Sequence, residues 1–514
     1  MKDDYDDIEI LDLSKKKRIP SDETEVLDPV VVKKSINKEV LNRSGSEYAK
    51  KVELPSRTSL REQEEKKETK KVVKKEEKEE KTTKKGKKKS KEKKPAKLWE
   101  KIFWFVSIAF ILGCCIFYGK RLIHYYKIYN PKKDGESVAL LSDRISINSE
   151  IVYEGSGLYK PDANYVYKGE VDKNYIKYNN LLWRIIKINR DGTMVVVLDD
   201  YLTMLPWNKE STNYKESDIH KYLNNEFLNN LDKSMLVKTS FCEDSVESLS
   251  EISCEKTNND SYVTLLDIST FLNTIVDKKT YLVDEDEIYW LSNYSSEKVW
   301  HTNGSSVSMS DASSFYEVRP VIKLKSTIPY ISGNGTKEDP YLTEKEDKLA
   351  LGSKVKLGDD TWVVYDTTNG TRLMLAKALD KTYRYDLDKL TYDKDSKSSL
   401  AEYLNTEYLE SLSYKDYLAE DEWVTGGYST TFEDLKKNKA KATVGIPSLL
   451  DYQYDNSVTG YFTTTSQEEY ILVYDNPIHA SKVTISRGIR PCIRLTDDAV
   501  KKLKLNDGIY TMGD

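Results

Sequence analysis

The segment Tyr222–Leu231 reads YLNNEFLNNL, and Tyr403–Leu412, 181 residues later, reads YLNTEYLESL. Four further stretches recur in the same order, at offsets between 171 and 181 residues. The matched pairs are LLWRIIKINRDGTMVVVLDD (181–200) with DTWVVYDTTNGTRLMLAKAL (360–379), YVTLLDISTF (262–271) with TVGIPSLLDY (443–452), IYWLSNYSS (288–296) with GYFTTTSQE (460–468), and VRPVIKL (318–324) with IRPCIRL (489–495). Five matches in one order indicate a diverged tandem repeat, with one domain of about 165 residues in each copy.

Each copy begins with a hairpin signal. Trp183–Ile188 alternates apolar and polar residues like a strand, the Asp-Gly pair at 191–192 is typical of a tight turn, and Thr193–Leu198 returns. The Asn-Gly pair at 369–370 marks the same turn in the second copy. We therefore expect an antiparallel pair of strands early in each domain.

Helical spacing follows the hairpin. Tyr222, Phe227 and Leu231 recur at intervals that place them on one face of an amphipathic helix, and the second copy repeats the pattern. Val263–Phe271 predicts a short strand that runs into a second helix, and short late strands are expected up to Val318–Leu324. The fold class predicted is α+β, with two tandem domains (165–345 and 350–514) built on mainly antiparallel sheets. A turn-rich cap, SGNGTKEDPYL (332–342), closes the first copy, and no such cap is evident in the second.

The chain before the repeats has a different composition. Residues 1–97 hold 30 Lys or Arg against 22 Asp or Glu with few aromatic residues, which predicts a disordered basic cytoplasmic tail. Residues 98–119 contain an 18-residue stretch without charge, IFWFVSIAFILGCCIFYG, which predicts one transmembrane helix. The Lys-rich flank before it predicts a single-pass protein of the cell membrane with a cytoplasmic N-terminus, an extracellular stalk (120–164) and both domains outside the cell. Membrane lipid is therefore an expected partner of the helix and its Lys-rich flank.

Composition and motif content exclude several classes of function. Residues 98–514 hold 50 Lys or Arg against 63 Asp or Glu, a balance that argues against nucleic acid as a partner. Nucleophile-elbow, zinc-protease, paired-cysteine redox and phosphate-loop motifs are missing from the sequence. Four scattered His residues argue against a His-rich metal site. We therefore predict no catalytic residue, no cofactor and no metal.

Cys242 and Cys254 lie 12 residues apart, between the helix and the next strand. An oxidising compartment permits a disulfide between them, and two free thiols are the alternative.

Four other residues are expected to have structural roles. Trp183 and Trp362 lie in strands beside aliphatic residues, which favours the core. Arg319 and Arg490 occupy matching positions before a proline, which favours bonds to loop carbonyls or a carboxylate over a ligand-facing role.

The order of a Trp-Arg strand, a Y-L-N helix, a Y-W-x-S strand and a terminal V-R-P strand resembles an uncharacterised bacterial cell-surface domain. The stretch YWLSNYSSEKVWHTNGSSVSMSDASSFYEVRPVIKL (289–324) is also similar to the end of C-type-lectin-like modules, formylglycine-generating-enzyme-like domains among them. The second copy departs from the pattern, since Phe462 replaces Trp290 and Val363 replaces Arg184.

The resemblance implies two C-type-lectin-like domains. It also implies a ligand-binding surface at Tyr294, Trp300, His301 and Asn303, although Trp300 can instead pack inward as an ordinary strand residue. The function expected is a membrane-anchored binding or adhesion protein that recognises an extracellular protein, a glycan or a cell-wall ligand. A degenerate cell-surface hydrolase or oxidoreductase and a signalling receptor with a cytoplasmic tail remain alternatives.

Overall fold

The computed structural model describes residues 139–208, 211–284, 287–344, 348–428 and 432–513. The first repeat contains strands β1 (Gly157–Tyr159), β2 (Tyr165–Lys168), β3 (Tyr175–Tyr178), β4 (Leu181–Ile188), β5 (Met194–Leu198), β6 (Met204–Pro206), β7 (Leu236–Val237), β8 (Phe241–Cys242), β9 (Thr257–Asn258), β10 (Val263–Thr264), β11 (Trp290–Tyr294), β12 (Val299–Asn303), β13 (Ser306–Ser310), β14 (Phe315–Glu317), β15 (Val321–Leu324) and β16 (Tyr341–Leu342).

The second repeat contains β17 (Lys354–Leu357), β18 (Asp360–Asp366), β19 (Arg372–Leu375), β20 (Tyr383–Arg384), β21 (Leu418–Ala419), β22 (Asp421–Val424), β23 (Lys439–Ala442), β24 (Val444–Gly445), β25 (Tyr461–Gln467), β26 (Tyr470–Tyr474), β27 (His479–Ser481), β28 (Ser486–Arg487), β29 (Cys492–Leu495), β30 (Leu503–Asn506) and β31 (Ile509–Met512). The helices are α1 (Leu141–Asn148), α2 (Asp218–Asn225), α3 (Ile268–Asn273), α4 (Leu400–Tyr403), α5 (Leu409–Ser411), α6 (Phe432–Lys436) and α7 (Asp497–Lys502).

The two repeats share one sheet topology. In the first, β3, β4, β5 and β15 lie side by side, β16 pairs in parallel with β3, and β7 and β10 pair with β15. In the second, β17, β18, β19 and β29 follow the same order, β31 pairs in parallel with β17, and β21 and β24 pair with β29. Each repeat also has a separate three-stranded antiparallel sheet, β11–β13 and β25–β27. The expected turns form where Gly192 and Gly370 adopt a positive φ, which glycine tolerates.

Strand β31 corrects the expectation that the second repeat lacks a closing segment like residues 332–342 of the first. The second repeat also has a closing strand, and Tyr510 opposite Val355 takes the place that Tyr341 opposite Ile176 has in the first repeat. The sequence hides this match because the turn before β31 does not resemble the glycine- and proline-rich turn before β16.

The α+β fold class was wrong, because the protein is mostly β, with 35% strand and 16% helix in many small antiparallel sheets. The physical reason is the shortness of the helices. At the end of α2 the helical backbone of Glu226 is distorted (φ −110°, ψ −66°), and Phe227–Asn230 continues only as a 3-10 turn. In the second repeat a π-helical turn, Leu404–Tyr408, separates α4 from α5. The apolar stripe predicted from the spacing is therefore real, but it covers few residues.

The prediction of a single-pass membrane protein is also corrected. Every helix in the described part of the chain is too short or too polar to cross a bilayer, which contradicts the transmembrane, signal-anchor and cell-membrane predictions. The segments 1–97 and 98–119 themselves, and the stalk up to residue 138, lie outside the described residues. The rest of the predicted stalk belongs to the fold, since Leu141, Ile145 and Leu158 are buried in the first core.

The second repeat contributes to the core of the first. Alternate residues of β25 and β26 face opposite ways, as the pleat of a strand requires. Phe462 and Val473 pack in the core of their own repeat, whereas Tyr461, Leu472 and Tyr474 pack with the core of the first. The β25–β27 sheet therefore lies between the two repeats, with both faces covered by apolar side chains.

Candidate functional site

Two residues of the predicted ligand surface, Tyr294 and Trp300, are buried. Tyr294 donates its hydroxyl proton to the carbonyl of Glu243 (2.5 Å), and the Trp300 indole N–H donates to the carbonyl of Val246 (2.8 Å). Each buried polar atom is thus paired inside the fold. Neither ring offers a face to a ligand in this conformation.

His301 and Asn303 lie on the next part of the same hairpin. His301 is buried with its Nε2 2.9 Å from the hydroxyl of Ser310, and burial lowers its pKa to about 4. Only Asn303, at the end of β12, is exposed. The structure therefore brings the four residues onto β11 and β12 but leaves one of them at the surface.

Arg319 and Arg490 make matching bonds in the two repeats. Arg319 donates from Nε to the carbonyl of Leu198 (2.7 Å) and from Nη2 to the carbonyl of Asp199 (2.6 Å). Arg490 donates from Nε to the carbonyl of Leu375 (3.0 Å) and from Nη2 to that of the following residue (3.5 Å). Each guanidinium thus ties down the chain where the second strand of the hairpin ends, and both side chains are buried.

The two tryptophans of the hairpin strands are fully buried. The indole N–H of Trp183 donates to the carbonyl of Tyr178 (3.1 Å), and that of Trp362 donates to the hydroxyl of Tyr414 (3.1 Å). Both rings are core residues with a satisfied donor, which leaves them no contact for a ligand.

Cys242 and Cys254 are joined in a disulfide with Cα atoms 5.7 Å apart. Asp244 lies near them, and these three residues are the one group in the described part of the chain with the spacing of metal ligands. A disulfide sulfur is not a thiolate, so the group does not fit a metal. Cys492 is a free thiol buried in the second core, where burial raises its pKa.

A groove of about 870 Å³ lies between parts of the two repeats, and none of the site residues predicted from the sequence lines it. Both repeats line it. We call it the inter-repeat groove and define it by Asp199, Asp200, Lys337, Tyr452, Tyr454 and Asp455.

On the side of the groove formed by the first repeat, salt bridges fix the charged side chains. The carboxylate of Asp199 lies 3.6 Å from Arg184 Nη1 and 3.2 Å from Lys337 Nζ, and Asp199 raises the pKa of Lys337. Asp200 also lines the groove, and desolvation by the surrounding protein raises its pKa although Asn456 donates a hydrogen bond to its carboxylate (2.6 Å). A ligand in the groove therefore meets two carboxylates, one of them neutralised by neighbouring cations.

Aromatic side chains form the wall from the second repeat. The rings of Tyr452 and Tyr454 are half-buried and meet edge to face, with centroids 6.2 Å apart at 89°. Tyr452 packs against both cores, and the carbonyl of Tyr454 accepts a bond from Arg490 (2.6 Å). The matched arginine of the second repeat thus positions the aromatic wall of the groove.

Two carboxyl groups lie beside Arg319, away from the groove lining. Burial, followed by the charge of Glu287, raises the pKa of Glu317 to about 9, and burial also raises the pKa of Glu287. Glu287 is 3.9 Å from Arg319. The two pKa values move in the same direction, whereas an acid–base pair needs them to move apart.

A sequence signal for the groove existed. Asp199-Asp200 follows β5, but the matching positions after β19 are Ala376-Lys377, so the acidic pair is not needed by the repeated fold. Tyr452 ends the segment that was matched to residues 262–271 of the first repeat, and Tyr454 follows two residues later. Only the contact between repeats shows that these two stretches face each other.

Comparisons with known proteins match the chain to no protein-family model, no curated protein and no solved structure. The resemblance to C-type-lectin-like modules therefore stays a prediction.

Proposed function

We propose that this protein is a binding protein and that its ligand, a glycan or cell-wall polymer, occupies the inter-repeat groove. The observation that carries the proposal is the groove itself, which has a volume of about 870 Å³ and is lined by residues of both repeats. Small-molecule sites typically have volumes of roughly 300–1,000 Å³. A groove of this size accommodates a short stretch of a longer glycan chain.

The chemistry of the two walls suits a polyhydroxylated ligand. The carboxylates of Asp199 and Asp200 accept hydrogen bonds from hydroxyl groups, and the Lys337 ammonium donates to hydroxyl oxygens. Tyr452 and Tyr454 offer apolar ring faces and edges beside these polar groups. A sugar presents the same combination of hydroxyl groups and C–H surfaces.

An enzyme is the alternative from a different class. Hydrolysis by paired carboxyl groups needs an acid and a base that both reach the substrate. Glu287 and Glu317, two neighbouring carboxyl groups whose pKa values burial raises, are not part of the groove lining. This arrangement supports binding over hydrolysis.

The test is a glycan and cell-wall-fragment screen with the full chain, followed by Tyr454→Ala. We expect the variant to lose at least about tenfold in affinity, or about 1.4 kcal/mol, because an aromatic contact is removed. Asn303→Ala is the matched control, since Asn303 is the exposed residue of the lectin-like surface expected from the resemblance. Binding lost in Asn303→Ala and kept in Tyr454→Ala would contradict the proposal, as would the lack of binding to every glycan.

A further inference from the structure

The second repeat has a smaller pocket of about 440 Å³, whose lining shares no residue with the inter-repeat groove. Its lining contains four cations, Arg372, Lys439, Lys441 and Arg494, against three carboxylates. We call this the basic pocket and define it by those four cations.

The two arginines of the basic pocket differ in how they are held. Arg372 donates from Nε to Asp421 (2.7 Å), lies 3.5 Å from Asp366, and stacks over Trp423 at 5.7 Å. Arg494 approaches Asp421 only at 3.9 Å, and its buried Nε–H has no hydrogen-bond partner among the described residues. Arg494 therefore keeps donor capacity that the fold does not use, and a buried unpaired donor costs free energy.

Two of the three carboxylates are engaged by lysines. Glu420 accepts from Lys394, which lies outside the pocket lining (2.7 Å), and Glu422 lies 3.4 Å from Lys439. Asp421 is held by Arg372. Each of the three carboxylates is thus paired with a cation, and Lys441 and Arg494 supply the remaining positive charge of the pocket.

The first repeat shows that the fold does not require this charge. Arg372 pairs with Arg494 across β19 and β29, and the equivalent pair across β5 and β15 is Val195 with Lys323. Asp421 lies two residues after β21, which pairs with β29. Thr239 has the equivalent position in the first repeat, two residues after β7, which pairs with β15. Arg372, Asp421 and Arg494 therefore form a charged group that only the second copy has.

The turn of the hairpin leaves room for Arg494. Gly370 has φ +100°, and a Cβ at this position would lie 2.5 Å from Arg494 Nε. A side chain there would displace the guanidinium. The glycine thus serves both the turn and the position of the arginine.

We propose that the basic pocket binds an oxyanion, the carboxylate, sulfate or phosphate group of a small ligand or of an acidic polymer unit, through Arg494 and Lys441. Asp421 holds Arg372 beside them as a fixed positive group. Both side chains line the same pocket, and a guanidinium and an ammonium form charge-assisted hydrogen bonds to such a group. This site is separate from the inter-repeat groove, so a negative binding result at one site does not contradict the proposal for the other.

The test is calorimetric titration of the full chain with inorganic phosphate and with glucuronate, with glucose as the neutral counterpart of glucuronate. We expect saturable binding of phosphate or glucuronate in the low-millimolar range, weakened by added salt, and no binding of glucose. Arg494→Gln should weaken the binding at least about tenfold. Lys323→Gln, the same charge change at the equivalent position of the first repeat, should leave it unchanged.

Lys441→Gln keeps the test decisive if Arg494→Gln fails to fold, since Lys441 is an exposed strand residue. It should weaken binding several-fold without a change in melting temperature. The proposal is overturned if neither anion binds the wild-type protein, if Lys441→Gln binds as the wild type does, or if Lys323→Gln weakens binding as much. Preference for phosphate or for glucuronate would show which oxyanion the pocket takes.

Discussion

Glu317 shows at the level of one residue how burial changes chemistry. The residue is 3% exposed, and the pKa of its carboxyl group is raised from the usual 4.5 to about 9 by burial and by the neighbouring Glu287. At neutral pH the folded protein therefore keeps a proton on Glu317 that the unfolded chain releases. The group is stable in the core because it is neutral there.

Glu317→Gln should change how stability depends on pH. A raised carboxyl pKa means that the folded state binds more protons than the unfolded state between about pH 4.5 and 9, so the free energy of unfolding falls as pH rises through this window. Glutamine resembles the protonated form, and the variant should gain roughly 1–3 kcal/mol at about pH 8. Urea unfolding at several pH values measures this gain. Glu338→Gln, on the surface, should follow the wild type, and an unchanged slope in Glu317→Gln would refute the assignment.

The helix of each repeat is attached to the sheet by an asparagine. Asn224 and Asn405, the third residues of the two Y-L-N motifs, each donate to the carbonyl of the first residue of β10 or β24 (2.9 Å in both). Each also accepts from the backbone N–H of that residue (3.2 and 3.0 Å). The motif recurs because its amide satisfies a strand end that no neighbouring strand covers.

Asn405→Ala should destabilise the protein by about 2–4 kcal/mol, because it removes the acceptor of the backbone N–H groups of Thr443 and Val444 and one of the two donors to the Val444 carbonyl. Chemical denaturation gives the change in the free energy of unfolding. Thr406→Ala, one residue along on the exposed side of the same turn, should cost less than about 1 kcal/mol. Equal decreases in the free energy of unfolding for the two variants would show that helix propensity, and not the hydrogen bonds of Asn405 to residues 443 and 444, is responsible.

At the scale of the molecule, the two repeats share apolar surface. Leu472 and Tyr474 come from the second repeat but pack in the first core, while Val473 between them packs in the second. The backbone N–H of Gln453 donates to the carbonyl of Leu202 (2.8 Å), and the Thr203 hydroxyl donates to the carbonyl of Leu449 (2.7 Å). The first core is incomplete without side chains of the second repeat, which predicts cooperative unfolding of the two repeats.

Leu472→Ala should therefore destabilise the first repeat, although Leu472 belongs to the second. A buried Leu→Ala change costs about 2–5 kcal/mol. Hydrogen exchange should show faster opening of amides in β4 and β5 of the first repeat. Val473→Ala, which faces the second core, should act first on β18 and β19. Unchanged protection of β4 and β5 in Leu472→Ala would mean that the repeats unfold independently.

The sequence alone determined the tandem repeat, the two hairpin turns and the burial of Trp183 and Trp362. These features follow from local alternation, turn chemistry and their recurrence in a second copy. Tertiary structure decided that Trp300 and His301 face inward, that β31 closes the second repeat, and that β25–β27 lies between two cores. It also decided that Asp199 and Tyr454, 255 residues apart in the chain, line one groove. The physical reason is that strand alternation tells which residues share a face, whereas only packing tells what covers that face.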